Sequence, residues 1–303
     1  KHRKKLIKNA TVFDGHSSGL AQGKKIVIED DIVTEITADE VSEENFDEVF
    51  EGTGMVAMPG MTDAHVHMGC LFAKGEFPVD YATVLTVAKC KDALMAGFTT
   101  FRDAGSVSEG LKLAFDEGVL PGPRIYPCGA YISQTCGHGD SEYAHTYRDI
   151  QYRHPSSTVL ADGVPEIIRA VREQFYRGAS HIKLKATEIL NRHEDIRLLF
   201  GTDMMITGPD YQVEQSEDIR YYEKRFGTMR ALRALTGTAN EVFALTTYQN
   251  PYPKGKIGVL EAGSYADLLL VDGDPTKSVS VLADTDHLRL IMKGGTVYKN
   301  TLC

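Results

Sequence analysis

Pro59-Gly60-Met61-Thr62-Asp63-Ala64-His65-Val66-His67 closes a short apolar run with two imidazoles two residues apart. In an extended strand, residues i and i+2 project from the same face, so His65 and His67 can offer two nitrogens to one metal ion. Taken alone, an H-x-H pair on a half-exposed strand is also an ordinary surface pattern. Its weight comes from the motifs that follow it along the chain.

Downstream, short apolar runs alternate with helical periodicity, the pattern of β/α units around a parallel sheet. A strand from Val56 to His67 is followed by a helix from Val79 to Ala96, closed by Gly97. Phe98 to Asp103 reads as the next strand, Ser106 to Glu117 as a helix stopped by Gly118, and Arg124 to Cys128 as a third strand. A long polar loop spans Ile132 to Asp162, then Pro165 to Arg177 forms a helix with proline in its first turn, and His181 to Ala186 a fourth strand. After Thr187 the chain offers Ile189 to His193, a strand from Arg197 to Asp203 and a helix from about Glu223 to Leu235. That makes roughly five strands, where a closed barrel needs eight.

The two ends of the chain have a different style. Leu6 to Asp14, Lys25 to Ile28 and Ile32 to Ile36 alternate apolar and polar residues between glycine-rich and acidic turns, and Ala266 to Val271, Leu288 to Lys293 and Thr296 to Tyr298 repeat the pattern. The expected class is therefore α/β. A barrel segment, 58–245, is flanked by a small β-sandwich built from 1–57 and 246–303.

Of 303 residues, 42% are apolar and 25% charged, as in ordinary soluble globular proteins. The net charge of −9, from 42 acidic against 33 basic residues, argues against a nucleic-acid partner. The one basic cluster, Lys1-His2-Arg3-Lys4-Lys5, reads as a solvated terminus. No apolar run reaches the roughly 18 residues of a membrane span, so no membrane partner is expected. Five cysteines without C-x-x-C spacing fit reduced thiols, and the expected location is cytoplasmic.

Six motifs in order carry a family resemblance. They are Pro59-Gly60 with Asp63-Ala64-His65-Val66-His67; Gly97-Phe98-Thr99-Thr100-Phe101-Arg102-Asp103; Ile132-Ser133-Gln134-Thr135 with Gly137-His138-Gly139-Asp140; His181-Ile182-Lys183-Leu184; Phe200-Gly201-Thr202-Asp203; and Gly258 to Leu268. The set resembles the metal-dependent amidohydrolase superfamily, and within it the imidazolonepropionase-like and Xaa-Pro dipeptidase-like group that includes ochratoxin-degrading amidases. The resemblance implies a (β/α)8 TIM-like barrel with an added β-sandwich, and one or two divalent ions, zinc foremost, at the C-terminal strand ends. It implies that His65 and His67 bind the more buried ion, that Lys183 is carboxylated and bridges two ions, and that Asp203 is both a ligand and the general base. The loop holding His138 would contact a small-molecule substrate, and the chain would form a homo-oligomer.

The implied activity is hydrolysis of an amide or peptide C–N bond in a dipeptide or N-acyl amino acid, including ochratoxin-like substrates. Opening of a cyclic amide is the alternative chemistry. The chain departs from the family pattern after Thr187, where about three β/α units are missing, along with two further metal-binding histidines. Glu188-Ile189 also stands where the pattern expects Gly-Gly. Either the sequence passes over units that the protein possesses, or it carries an internal deletion. The second case makes it a non-catalytic barrel remnant without a complete second metal site.

Individual residues have competing readings. Lys183 lies in an apolar run where an unpaired ammonium is costly, and Lys185, two residues on, shares its face. Asp203, after Gly201-Thr202, would serve equally as a turn or helix cap were it not for His65 and His67. Arg102 and Asp103 are assigned to structure, and Met204-Met205 to core or pocket wall. His145, His154, His181 and His193 have no partner motif and are assigned to packing or solvent, while Tyr131 and Tyr143 are candidates for an aromatic pocket lining.

Overall fold

The structure is a computed structural model that describes residues 3–68, 79–105, 109–135, 137, 140, 158–183, 197–205 and 211–302. The expectations for His138, His145, His154, His193, Tyr143, Lys185 and the strand beyond Lys183 lie outside those residues.

Both chain ends enter one eight-stranded sheet. Strands β1 (Lys4–Val12), β2 (Ala21–Glu29), β3 (Ile32–Thr37), β4 (Glu48–Glu51) and β5 (Val56–Pro59) come from the N-terminal end. A second sheet contains β6 (Met61–His67), β7 (Phe98–Asp103), β8 (Arg124–Tyr126) and the short β11 (Met204–Met205), while β9 (Tyr131–Ser133) pairs with β10 (Thr158–Leu160). The C-terminal strands β12 (Leu268–Val271), β13 (Leu288–Lys293) and β14 (Thr296–Asn300) complete the first sheet in the order β14-β13-β12-β5-β1-β2-β3, with β4 beside β1. Its far edge returns toward β12: the Val33 amide donates to the Ser264 carbonyl and the Ala266 amide to the Asp31 carbonyl.

β12 shows why the terminal sheet and the helical middle pack as they do. All four of its residues are buried, the mark of a strand covered on both faces. Leu268 and Leu270 join Ile7, Ile26, Ile28 and Met292 in a core inside the terminal sheet. Leu269 and Val271 face the other way and pack with Met58, Phe98, Phe101, Phe200 and Leu235 in the largest core.

The second sheet is parallel, in the order β11-β6-β7-β8, with helices Val79–Met95 and Glu109–Asp116 in its crossovers. Among the described residues it ends at β11 and β8, so it is a four-stranded parallel sheet, and closure of the expected barrel is not shown.

Four expected elements are corrected. The expected strand from Val56 to His67 breaks at Gly60: β5 pairs with β12 and β1 of the terminal sheet, and β6 with β7 and β11 of the parallel sheet. The expected strand from Arg197 to Asp203 is irregular backbone leading into β11, although Phe200 bridges the Ala64 amide and the Ala234 carbonyl. His181 to Lys183 is likewise outside any strand. The helix expected from Glu223 is two helices, Tyr211–Phe226 and Thr228–Leu235, divided by Gly227 at φ 81°, a left-handed conformation that favours glycine.

The two sheets are pinned by a buried ion pair. Arg124 on β8 donates from Nε and Nη2 to the Asp267 carboxylate at 2.6 and 3.1 Å, and the Gly294 amide donates to the same carboxylate at 2.6 Å. The Asp267 carbonyl accepts from the Gly60 amide, at the break between β5 and β6. Burial alone would lower the Arg124 pKa, but the Asp267 charge outweighs it and raises it. Asp267→Ala would leave Arg124 charged and buried, at a cost of about 3–5 kcal/mol. A urea unfolding midpoint matching wild type would refute this.

Lys293 lies nearby, its ammonium donating to the Gly122 carbonyl at 2.6 Å. Burial lowers its pKa from the ordinary 10.5 to about 8. Between those values the unfolded chain holds a proton that the folded chain has released, so this residue makes stability rise with pH over that window. Lys293→Met should remove that increment, read as the difference in stability between pH 8 and 10 for variant and wild type.

Candidate metal centre

β6 carries Asp63, His65 and His67 on one face, as the i, i+2, i+4 spacing requires. Both imidazoles reach one oxygen of Asp203: His65 Nε2 lies 2.9 Å and His67 Nε2 3.0 Å from Asp203 Oδ1. Ligand atoms of the three residues all fall within 4.8 Å of one another. The group sits at the C-terminal end of parallel strands, where barrel enzymes build their sites.

Asp203 reaches this point through an unusual backbone. Its φ is 55°, the left-handed region, which costs a non-glycine residue about 1 kcal/mol. The turn is held by a 2.7 Å bond from the Asp203 amide to the His65 carbonyl. Gly201 allows the approach, because a β-carbon there would come within 2.7 Å of the His65 Cβ.

Lys183 joins from the other side. Its carbonyl accepts from the Ile132 amide of β9, and its Nζ lies 2.6 Å from His65 Nε2. Burial first, then the Lys183 charge, lowers the His65 pKa to about 4, against the opposing pull of Asp203. His65 is therefore a neutral imidazole at neutral pH, the form that has a lone pair to give a metal.

Two nitrogens and a carboxylate oxygen suit a first-row divalent cation. The convergence of both Nε2 atoms on one oxygen fits such an ion without rearranging the strand. An ammonium at Lys183 would repel it, whereas a carbamate there would be a further oxygen donor.

Two residues at this site were given no functional role in the sequence, His181 being assigned to packing or solvent and Asp63 to nothing. His181 Nε2 lies 3.1 Å from the Asp103 carbonyl and its Nδ1 2.9 Å from Ser180 Oγ. Burial, with Arg102 next, lowers its pKa to about 3. Its signal was an i, i+2 spacing to Lys183, the same spacing that singled out His65 and His67. Asp63, fully buried within the quoted motif, lies just beneath the histidines. Arg102 and Asp103 hold backbone, Arg102 Nη1 donating to the Ala64 carbonyl and Asp103 Oδ1 accepting from the Met68 amide. Met204 packs against the main core.

The comparisons with known proteins point the same way. The amidohydrolase family model matches residues 56–198. Ochratoxinase from Aspergillus niger is 34% identical over 152 residues, which take in 44% of this chain and 31% of that protein, so the match spans less than a third of its curated relative. The crystal structure of a prolidase complexed with N-methylphosphonate-L-proline superposes with a TM-score of 0.83 at 21% identity, over 98% of this chain and 100% of the other. The crystal structure of A. niger ochratoxinase gives 0.79 at 19% identity, over 99% and 96%. Family match and fold agree on the amidohydrolase superfamily. Within it, the sequence is similar to ochratoxinase and the fold to a prolidase.

If His65, His67 and Asp203 share one ion, zinc should raise the thermal unfolding midpoint of the wild-type protein. His67→Ala should weaken zinc binding at least about tenfold and lose most of that rise. A variant that zinc stabilises as strongly as wild type would remove His67 from the centre.

Proposed function

We propose that this protein is a metal-dependent hydrolase that cleaves an amide or peptide-like C–N bond in a small substrate, with Asp203 as general base. The observation that carries the reading is the convergence of His65 Nε2 and His67 Nε2 on Asp203 Oδ1 at the end of parallel strands. The similarity to ochratoxinase and the prolidase fold supports amide substrates. Dipeptides and N-acyl amino acids with a free carboxylate are the leading candidates.

His65, His67 and Asp203 would hold the ion, and a carboxylated Lys183 would add an oxygen donor and permit a second. One or two bound divalent ions, zinc foremost, would acidify water and polarise the scissile carbonyl. Asp203 combines contact with both histidines and a side chain 70% exposed, so solvent and substrate reach its second oxygen. That oxygen would take a proton from the attacking water and return it to the leaving nitrogen. His65 and His67 contact the other oxygen, Oδ1, so the proton would move at Oδ2.

The test is hydrolysis of Xaa-Pro dipeptides and N-acyl amino acids by the purified protein, followed by chromatography. Turnover should vanish after chelation and return with zinc. Asp203→Asn keeps the shape but loses the proton acceptor, and should lower kcat about 10²–10⁴-fold. Wild-type turnover in that variant would overturn the base assignment. Metal-free protein that neither binds zinc nor turns over substrate would favour the barrel remnant.

A further inference from the structure

We propose that Asp63 is a positioning residue for Asp203, acting through Thr202 to hold the left-handed turn that aims the Asp203 carboxylate at His65 and His67. The inference rests on the metal-centre reading above only for its functional consequence.

Asp63 is fully buried, and five donors surround its carboxylate. Oδ1 accepts from the His65 amide at 3.1 Å and the Thr202 amide at 3.2 Å. Oδ2 accepts from Thr202 Oγ1 at 2.9 Å, Tyr211 OH at 3.2 Å and Gln215 Nε2 at 3.3 Å. Gln215 also donates to Tyr211 OH at 2.7 Å, so the last two donors brace each other.

These partners come from three separate pieces of chain: β6, the 200–203 segment and the helix Tyr211–Phe226. The 200–203 segment lies outside any strand, since β11 begins only at Met204, and between its backbone bonds at Phe200 and at Asp203 it is held through Thr202. Thr202 is bound to Asp63 twice, by amide and hydroxyl, and the next residue adopts φ 55°. Removing that double bond should free Asp203 to relax toward ordinary backbone, turning its carboxylate away from the imidazoles. The amide and the hydroxyl can be separated by mutation, because Thr202→Val deletes only the hydroxyl donor.

The experiment combines amide hydrogen exchange on the metal-free protein with zinc affinity by chelator competition, for wild type, Asp63→Asn, Thr202→Val and Thr202→Ser. Asp63→Asn and Thr202→Val should speed exchange of the Asp203 amide about tenfold, leave β12 and β13 protected, and weaken zinc about ten- to hundredfold. Thr202→Ser, which keeps the hydroxyl, should behave as wild type.

A lower unfolding midpoint with unchanged Asp203 exchange and zinc affinity would make Asp63 merely structural and overturn the proposal. If Asp63→Asn does not fold, Thr202→Val decides by the same readouts. If wild type binds no zinc, the metal reading fails, while exchange at Asp203 still decides the positioning role.

Discussion

The position of the candidate site depends on Asp267. Its carboxylate takes two bonds from Arg124 of the parallel sheet and one from the Gly294 amide of the β13–β14 turn, while its carbonyl holds the Gly60 amide. Gly60 is where the chain leaves the terminal sheet and enters β6. Fixing that joint sets where β6 begins, and seven residues of extended backbone then deliver His65 and His67 to the strand's end. A buried ion pair is a poor source of net stability but a demanding one geometrically, since neither partner tolerates separation. Here it registers two sheets that otherwise meet through apolar packing of β5, β12 and β13 and through Lys293.

From that joint the site follows from local constraints. Strand periodicity puts three functional side chains on one face, burial and the Lys183 charge keep His65 neutral, and a glycine at 201 admits the segment that brings Asp203. The result is an electron-rich cluster whose donors come from β6, the 200–203 segment and the residue beside β9. An arrangement drawn from three distant stretches of chain needs a rigid scaffold, which the parallel sheet supplies.

How much of this the sequence made legible depended on how the burial was achieved. The terminal strands were readable because alternation reports a one-sided core, and β12 because an uninterrupted Leu-Leu-Leu-Val run reports a two-sided one. The break at Gly60 was hidden because apolar residues continue on both sides of it. The start of the helix at Tyr211 was missed for a different reason. Of its buried positions Tyr211, Gln215 and Ile219, two are polar and are reconciled with burial by Asp63, so no apolar stripe marked the helix. His65, His67 and Asp203 were assigned through motif order, whereas Asp63, on the same strand face, was passed over because its partners Thr202, Tyr211 and Gln215 lie far along the chain.

The three donors differ steeply in exposure, at 9% for the His67 side chain, 36% for His65 and 70% for Asp203. Such a gradient gives the site a direction. Anything that arrives from solvent meets the carboxylate first and the inner imidazole last, so capture begins with a charged, hydrated contact and ends with a dry one. Departure would run the same path in reverse, so for an ion held by all three, His67 would govern retention and Asp203 entry.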